Sequence, residues 1–143
     1  MKVFSRYKRW LNLKRIAFDT SFLIALLEDD SRQIPRLFEL AEKRSLTLMT
    51  STVTLLEVLV RPYRNQALDV VNLYYGYLVR APFVRLFDLS PEIADRAAEL
   101  RARYNFKTPD AIQLATALAA EAKLFLTQDR EFRKQKEIEV GIL

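Results

Sequence analysis

The sequence predicts an α/β domain in which a parallel sheet of four to five strands is covered by helices on both faces. Two observations predict this fold class. Short apolar runs alternate with helical segments, and the 143 residues contain only two glycines and no repeat or low-complexity linker. Strands separated by helical segments pair in parallel, because each crossover carries a helix. A chain of this length can bury roughly two-thirds of its unfolded surface in one core.

The elements of the first half are predicted from apolar spacing. Leu37, Phe38, Leu40 and Ala41 form an apolar face at helical spacing. Ser51 and the threonine after it can cap a helix, and Pro62 is expected to end that helix. The predicted elements are a strand over 15–18, helices over 21–27 and 34–44, a strand over 46–50 and a helix over 53–61.

The second half continues the alternation. Residues 90–92 (Ser-Pro-Glu) supply an N-cap, a first-turn proline and an early acid, and residues 108–110 (Thr-Pro-Asp) repeat that start signal. The predicted elements are helices over 68–79, 91–104 and 110–122, with strands over 84–87, 123–127 and 138–142.

Four acidic residues lie where a carboxylate fits its surroundings poorly: Asp19, Glu57, Asp110 and Asp129. Two of them follow the first and fourth predicted strands, one lies in the helix after the second strand, and one opens the helix before the fourth. Sites in parallel sheets form outside the carboxyl ends of the strands. We therefore expect the four acids to converge on one rim of the sheet.

Each acid also has an ordinary structural explanation, and the sequence leaves both explanations open. Asp19 and Asp129 can cap helices or turns. Asp110 complements a helix dipole, which is worth about 0.3–1 kcal/mol without any catalytic role. Glu57 can form a surface pair with Arg61 one turn along its helix.

The absence of histidine and cysteine restricts the chemistry. Ser-His-Asp and Cys-His nucleophilic sites and Cys/His zinc sites are excluded. Crowded carboxylates resist simultaneous ionisation unless a cation neutralises them, and oxygen ligands suit Mg²⁺ or Mn²⁺. Such an ion can acidify a bound water and clamp a phosphate. Five polar neighbours can orient waters or support the acids, although Ser and Thr at helix starts are usually caps: Thr20, Ser21, Thr108, Gln113 and Thr127.

Charge is concentrated at the amino terminus. The first 15 residues carry +6, whereas the whole chain carries +5, so the remainder is near neutral. We predict a basic arm over residues 1–14 and a single domain over 15–143. Phe4, Tyr7 and Trp10 within the arm suit contact with a nucleic acid, although a solvated terminus explains the same residues. No apolar stretch approaches the ~20 residues of a membrane span, and we expect a cytoplasmic protein.

Four segments carry a resemblance to a known family: residues 18–24, 54–59, 107–117 and 126–132. In this order they resemble the PIN-domain family, particularly the VapC-type toxin ribonucleases of toxin–antitoxin systems. The resemblance implies a three-layer α/β/α sandwich and Mg²⁺- or Mn²⁺-dependent endonucleolytic cleavage of RNA that leaves a 5′-phosphate. It also implies that the four acids bind the metal, that an antitoxin covers the active-site groove, and that the protein forms a homodimer.

Two departures from the family pattern keep other functions open. Many relatives carry histidine where Gln113 stands, and the basic arm is longer than usual. A catalytically inactive PIN-like module that binds RNA or a partner protein is therefore an alternative. Phosphotransfer through Asp19 is a third, although Ser21 occupies the position of the second acid in Asp-x-Asp sites. The tyrosine-rich residues 73–78 can supply a dimer contact or pack inside.

Overall fold

The structure, a computed structural model, describes residue 10, residues 12–29 and residues 32–142. Most of the predicted basic arm, including Phe4 and Tyr7, lies outside the described residues. The division of the chain at residue 14 stays a prediction.

A five-stranded parallel sheet forms the centre of the domain, in the order β3-β2-β1-β4-β5. The strands are β1 (Arg15–Phe18), β2 (Thr47–Ser51), β3 (Val84–Phe87), β4 (Leu124–Thr127) and β5 (Val140–Ile142). β2 and β3 extend the sheet on one side of β1, and β4 and β5 extend it on the other. The strand order therefore reverses between β1 and β4, the place where parallel sheets bind ligands.

Helices cover both faces of this sheet. They are α1 (Thr20–Asp29), α2 (Gln33–Lys43), α3 (Thr52–Arg64), α4 (Leu68–Tyr75), α5 (Pro91–Tyr104) and α6 (Thr108–Ala119). A π-helical turn (Gly76–Arg80) follows α4, and a 3₁₀ helix (Arg130–Lys134) follows β4. Among the described residues, no helix is both long and apolar enough to cross a bilayer.

Alternating side chains of the strands feed two separate cores. Ile16 and Phe18 of β1 pack with α1–α4 on one face, whereas Ala17 packs with α5 and α6 on the other. Each fully buried Leu or Phe contributes about 1.5–3 kcal/mol relative to exposure. The two cores make the predicted three-layer α/β/α sandwich, and the fold class is confirmed.

Two predicted helix starts are confirmed, and one predicted helix end is wrong. The hydroxyl of Ser51 accepts the N–H of Val53 (3.1 Å), and that of Ser90 accepts the N–H of Ile93 (3.2 Å). Pro62, however, does not end its helix, since α3 runs on to Arg64. A proline near the end of a helix removes one hydrogen bond to the preceding turn, and this buried ring leaves the last helical turn intact.

The tyrosine-rich segment packs mostly inside the domain. The ordinary helix predicted over 68–79 ends at Tyr75, and the wider π-helical turn that follows places Leu78 in the core. Tyr74 is buried, and the ring of Tyr77 meets Phe38 edge-on at 5.2 Å. This segment therefore packs into the core between the sheet and α1–α4.

Trp10 is buried against the last strand, with 6% of its surface exposed. A Cβ on Gly141 would lie 2.9 Å from the Trp10 ring and 2.7 Å from Leu126. Only glycine allows this close approach, and the indole covers the sheet beside β5.

Candidate active site

Asp19 stands at the carboxyl end of β1 with three hydrogen-bond donors around it. Its Oδ1 accepts the hydroxyl of Ser21 (2.7 Å) and the backbone N–H of Phe22 (3.0 Å). Its Oδ2 accepts the hydroxyl of Thr127 (2.6 Å), the last residue of β4. The carboxylate is therefore fixed at the point where the strand order reverses. The Phe22 contact also makes Asp19 the predicted helix cap.

Burial has the largest effect on the pKa of Asp19, because only 5% of the residue's surface is exposed. Loss of solvent raises its pKa above the ordinary value, the three donors act in the opposite direction, and the charge of Asp129 raises the pKa further. Neutralising the charge by an external cation would relieve this cost.

Asp129 lies two residues beyond β4 and faces the same end of the sheet. Its Oδ1 accepts the N–H of Glu131 (2.9 Å), which is the predicted turn cap. Its own N–H donates to Thr127 (3.0 Å). The hydroxyl of Ser21 accepts the N–H of Gln128 (2.8 Å). Ser21 and Thr127 thus link the two strand ends that carry Asp19 and Asp129.

The start of α6 differs by one residue from the predicted start signal. Lys107 occupies the N-cap position, so Asp110 is the third residue of the helix. The hydroxyl of Thr108 is exposed and accepts a hydrogen bond from Arg101 (2.9 Å). Thr108, a predicted site residue, therefore stabilises the α5–α6 connection rather than facing the acids.

The pKa of Asp110 is raised to about 6. Burial contributes most, and neighbouring negative charges add to it in the order Asp129, Asp19 and Glu57. Lys107 opposes them only partly. The side chain accordingly exchanges its proton close to neutral pH.

Glu57 projects from α3 into solvent and is held by a hydroxyl. Its Oε1 accepts a hydrogen bond from Thr20 (2.8 Å). The alternative pair with Arg61 does not form within the described part of the chain. Glu57 is thus oriented toward β1 and not along its own helix.

All four acids line one cavity of about 230 Å³. Its walls consist of Asp19, Thr20, Ser21, Ile24, Glu57, Asp110, Gln113 and Asp129. Three of the five predicted polar neighbours are among these residues: Thr20, Ser21 and Gln113. Thr127 is not, but its hydroxyl donates a hydrogen bond to Asp19. Gln113 lies on the same side as Asp110, as its spacing predicts, but it is buried. Sequence reasoning missed two buried hydroxyls beneath this cavity, Thr50 and Thr54, although Thr54 precedes Glu57 by one helical turn.

The donor set of this cavity suits an oxygen-preferring ion. Over the described ranges, no three acidic side chains are grouped closely enough to hold one metal ion in common. Mg²⁺ keeps several waters and commonly uses only one or two carboxylates directly. Carboxylates around a cavity that has room for several waters are compatible with that mode.

Two further cavities flank the acidic one. An apolar cavity of about 330 Å³ between α1, α3 and α4 shares Ile24 and Glu57 with it. A polar cavity of about 370 Å³ on the other side shares Asp110 and Asp129 and is also lined by Lys107. The acids therefore lie in the middle of a longer surface depression.

Comparison with known proteins places the chain in a family. The PIN domain pattern matches residues 16–138. The chain belongs to the PIN-domain family. The resemblance inferred from the four segments is thereby confirmed. Among curated proteins, no sequence matches significantly.

Solved structures share the fold of this PIN-domain protein over most of its length. A chain of a toxin–antitoxin complex from Klebsiella pneumoniae has a TM-score of 0.64 and 25% identity, covering 86% of this chain and 94% of that one. A chain of VapBC2 from Rickettsia felis, bound to a promoter DNA fragment, has a TM-score of 0.68 and 15% identity, covering 89% of this chain and 97% of that one. VapC20 from Mycobacterium tuberculosis, a toxin that cleaves the sarcin–ricin loop, has a TM-score of 0.63 and 22% identity, covering 87% of this chain and 98% of that one.

Proposed function

We propose that this PIN-domain protein is a metal-dependent endoribonuclease and the toxin of a type II toxin–antitoxin system. The observation that carries the proposal is the single cavity lined by four acids at the point where the strand order reverses. Family membership supports a nuclease, and the structural neighbours from toxin–antitoxin complexes support the toxin assignment. VapC20, which cleaves the sarcin–ricin loop, supports RNA as the substrate.

Asp19, Glu57, Asp110 and Asp129 would hold a Mg²⁺ or Mn²⁺ ion, one or two of them directly and the others through the waters of the ion. Such an ion supplies positive charge and a bound water of lowered pKa. Asp19 is the fixed member, since three donors prevent its rotation. A carboxylate of this set would assist deprotonation of the attacking water.

The alternative of phosphotransfer through Asp19 is disfavoured because Ser21, and not a second acid, lies two residues further along the chain. The hydroxyl of Ser21 donates to Asp19 (2.7 Å).

RNA would be held mainly through its phosphates. Lys107 lines the polar cavity beside Asp110 and Asp129 and is suited to contact a backbone phosphate next to the cleaved bond. Affinity for RNA is expected to fall as salt concentration rises, because phosphate contacts release counterions. An affinity that does not change with salt would contradict this binding mode.

Cleavage of an RNA panel tests the proposal. Wild-type protein, Asp19→Asn, Asp110→Asn and the exposed control Asp95→Asn are incubated with tRNA, rRNA and mRNA in Mg²⁺, Mn²⁺ or EDTA. We expect metal-dependent cuts with 5′-phosphate ends, a loss of at least about 100-fold in both site variants, and wild-type rates in the control. Retained cleavage in both site variants would reject the assignment. RNA binding without hydrolysis by the wild-type protein would favour the inactive binding module instead.

An antitoxin that covers the active-site groove, a homodimer and a cytoplasmic location remain parts of this proposal. The homodimer is supported by large apolar side chains exposed on α3 and α4, namely Leu56, Val60, Tyr63, Leu68 and Leu73. Patches of this kind commonly mark protein contacts. Sedimentation of the purified protein at several concentrations distinguishes a dimer from a monomer.

A further inference from the structure

A hydrogen-bonded network of uncharged side chains lies beneath the acidic cavity. At its centre is Gln113 of α6, with 3% of its surface exposed. The amide nitrogen of Gln113 donates to the hydroxyl of Thr54 (2.8 Å) and to that of Thr20 (3.2 Å). One buried side chain therefore contacts both α1 and α3.

The protons of this network point away from Gln113. An amide nitrogen donates two hydrogen bonds and accepts none, whereas a hydroxyl has a single proton to give. Thr50 gives its proton to the carbonyl of Phe18 (2.8 Å), so Thr54 is the donor in the 2.8 Å contact between the two threonines. The carbonyl oxygen of Gln113 is a more distant acceptor for Thr54, at 3.2 Å.

The hydrogen bond from Gln113 to Thr20 leads to the active site. Because Thr20 accepts from Gln113, its own proton is directed outward to Oε1 of Glu57, at 2.8 Å. Glu57 is exposed and has a long side chain, so without this hydroxyl its carboxylate would sample several rotamers. The hydrogen bonds through Thr54 and Thr50 end at the carbonyl of Phe18, the residue before Asp19.

We propose that Gln113 is a positioning residue that acts through Thr20 to fix the carboxylate of Glu57 at the cavity. The inference rests on the proposed function, because it assigns Glu57 a role at the site. A neutral amide achieves this orientation without adding charge beside four carboxylates. A glutamate in its place would accept the Thr20 proton and turn it away from Glu57, and it would add a fifth negative charge.

A double-mutant cycle between positions 113 and 57 tests the coupling. We expect Gln113→Met to lower kcat for RNA cleavage by about 10- to 100-fold with a smaller change in KM, the range of a lost hydrogen bond to a charged group. In a Glu57→Ala background the same substitution should cause no further loss. The matched control is Thr116→Val, a buried threonine one turn along α6 whose hydroxyl donates to the carbonyl of Ile112 (2.7 Å); it should cleave like wild type.

Thr20 variants provide a test that does not disturb the buried amide. Thr20→Val should lose activity as Gln113→Met does, and Thr20→Ser should restore most of it because the hydroxyl is retained. These two variants decide the outcome if Gln113→Met does not fold. Wild-type kcat in Thr20→Val, or additive losses for Gln113→Met and Glu57→Ala, would overturn the proposal.

Mn²⁺ affinity, measured by titration followed by electron paramagnetic resonance, gives a readout independent of cleavage. Gln113→Met should weaken Mn²⁺ binding with Glu57 present and leave it unchanged in Glu57→Ala. If neither the wild-type protein nor any variant cleaves RNA but this coupling appears, the ribonuclease assignment fails and the positioning role stands. If wild-type protein cleaves RNA and the coupling is absent, the positioning role alone fails. Absence of Mn²⁺ binding by the wild-type protein would contradict both.

Discussion

Glu137 and the four acids of the cavity show two different ways in which this protein accommodates carboxylates. Glu137, with 19% of its side chain exposed, receives two guanidinium groups and a phenol. Arg96 donates at 3.2 Å and the hydroxyl of Tyr104 at 3.1 Å, and Arg103 forms a short ion pair. These contacts tie the segment before β5 to α5, so the charge is satisfied within the fold.

Three of the cavity acids, Asp19, Glu57 and Asp129, receive hydroxyl or N–H donors. Within the described residues, none of the four cavity acids forms an ion pair, although the chain has 23 lysines and arginines. Lys107 moderates the pKa of Asp110 only partly. The contrast between Glu137 and the cavity acids supports the proposal that the cavity binds a cation from outside the protein. Stability measurements can separate these two cases.

The largest expected effect is stabilisation by a divalent ion. At a Mg²⁺ or Mn²⁺ concentration of 100 times Kd, binding to the native state should raise the free energy of unfolding by about 2.7 kcal/mol. Thermal unfolding with and without the ion measures this. Asp110→Asn should lose most of the rise and Glu137→Gln should keep it. An equal rise in Asp110→Asn would show that the ion binds elsewhere.

Removing the internally satisfied charge should destabilise the protein. Glu137→Gln should lower the free energy of unfolding by about 1–2 kcal/mol, because it weakens charge-assisted hydrogen bonds from Arg96 and Arg103. Urea denaturation measures the loss. The control is Glu39→Gln, which removes an exposed pair with Lys43 and should leave the midpoint unchanged. RNA cleavage by folded Glu137→Gln should match wild type, and a loss of cleavage would connect this cluster to the site.

Removing the charge of Asp110 should raise the free energy of unfolding, whereas removing that of Glu137 should lower it. Asp110 titrates at about 6 in the folded protein, against an ordinary value of 3.8. Between these values the folded state binds more protons than the unfolded state, so stability falls as pH rises through this window. Without divalent ions, Asp110→Asn should therefore be more stable than wild type above pH 6, by on the order of 1 kcal/mol after solvent screening of a partly exposed group.

The advantage of Asp110→Asn should disappear below about pH 4, where Asp110 is protonated in both the folded and the unfolded state. Denaturation of wild type and variant across pH 3–8 in EDTA measures the difference. A gain that is independent of pH, or a loss at pH 7, would contradict the electrostatic explanation.

The sequence predicted the parts of the site that depend on the sheet edge. The ends of β1 and β4 bring Asp19 and Asp129 together whenever the sheet is parallel, and helical spacing places Gln113 on the side of Asp110. Apolar alternation was enough for these inferences, because it reports which backbone segments are strands and helices.

Contacts between distant side chains were not predictable in the same way. Thr54 meets Gln113 across 59 positions of the chain, and nothing in the local spacing of either residue indicates the contact. The helix start signal at Thr108 likewise did not indicate that its hydroxyl accepts a hydrogen bond from Arg101. The continuation of α3 past Pro62 likewise depends on tertiary burial, which overrides local propensity.

Trp10 is the only tryptophan of the chain, and it lies against Gly141 at the opposite terminus. Its fluorescence is therefore a built-in optical probe of whether the amino-terminal residues are docked on the last strand. A red shift of emission at denaturant concentrations below the main unfolding transition would reveal undocking of this cover as a separate step. The same signal would report whether RNA or a partner protein that engages the arm alters the environment of the indole.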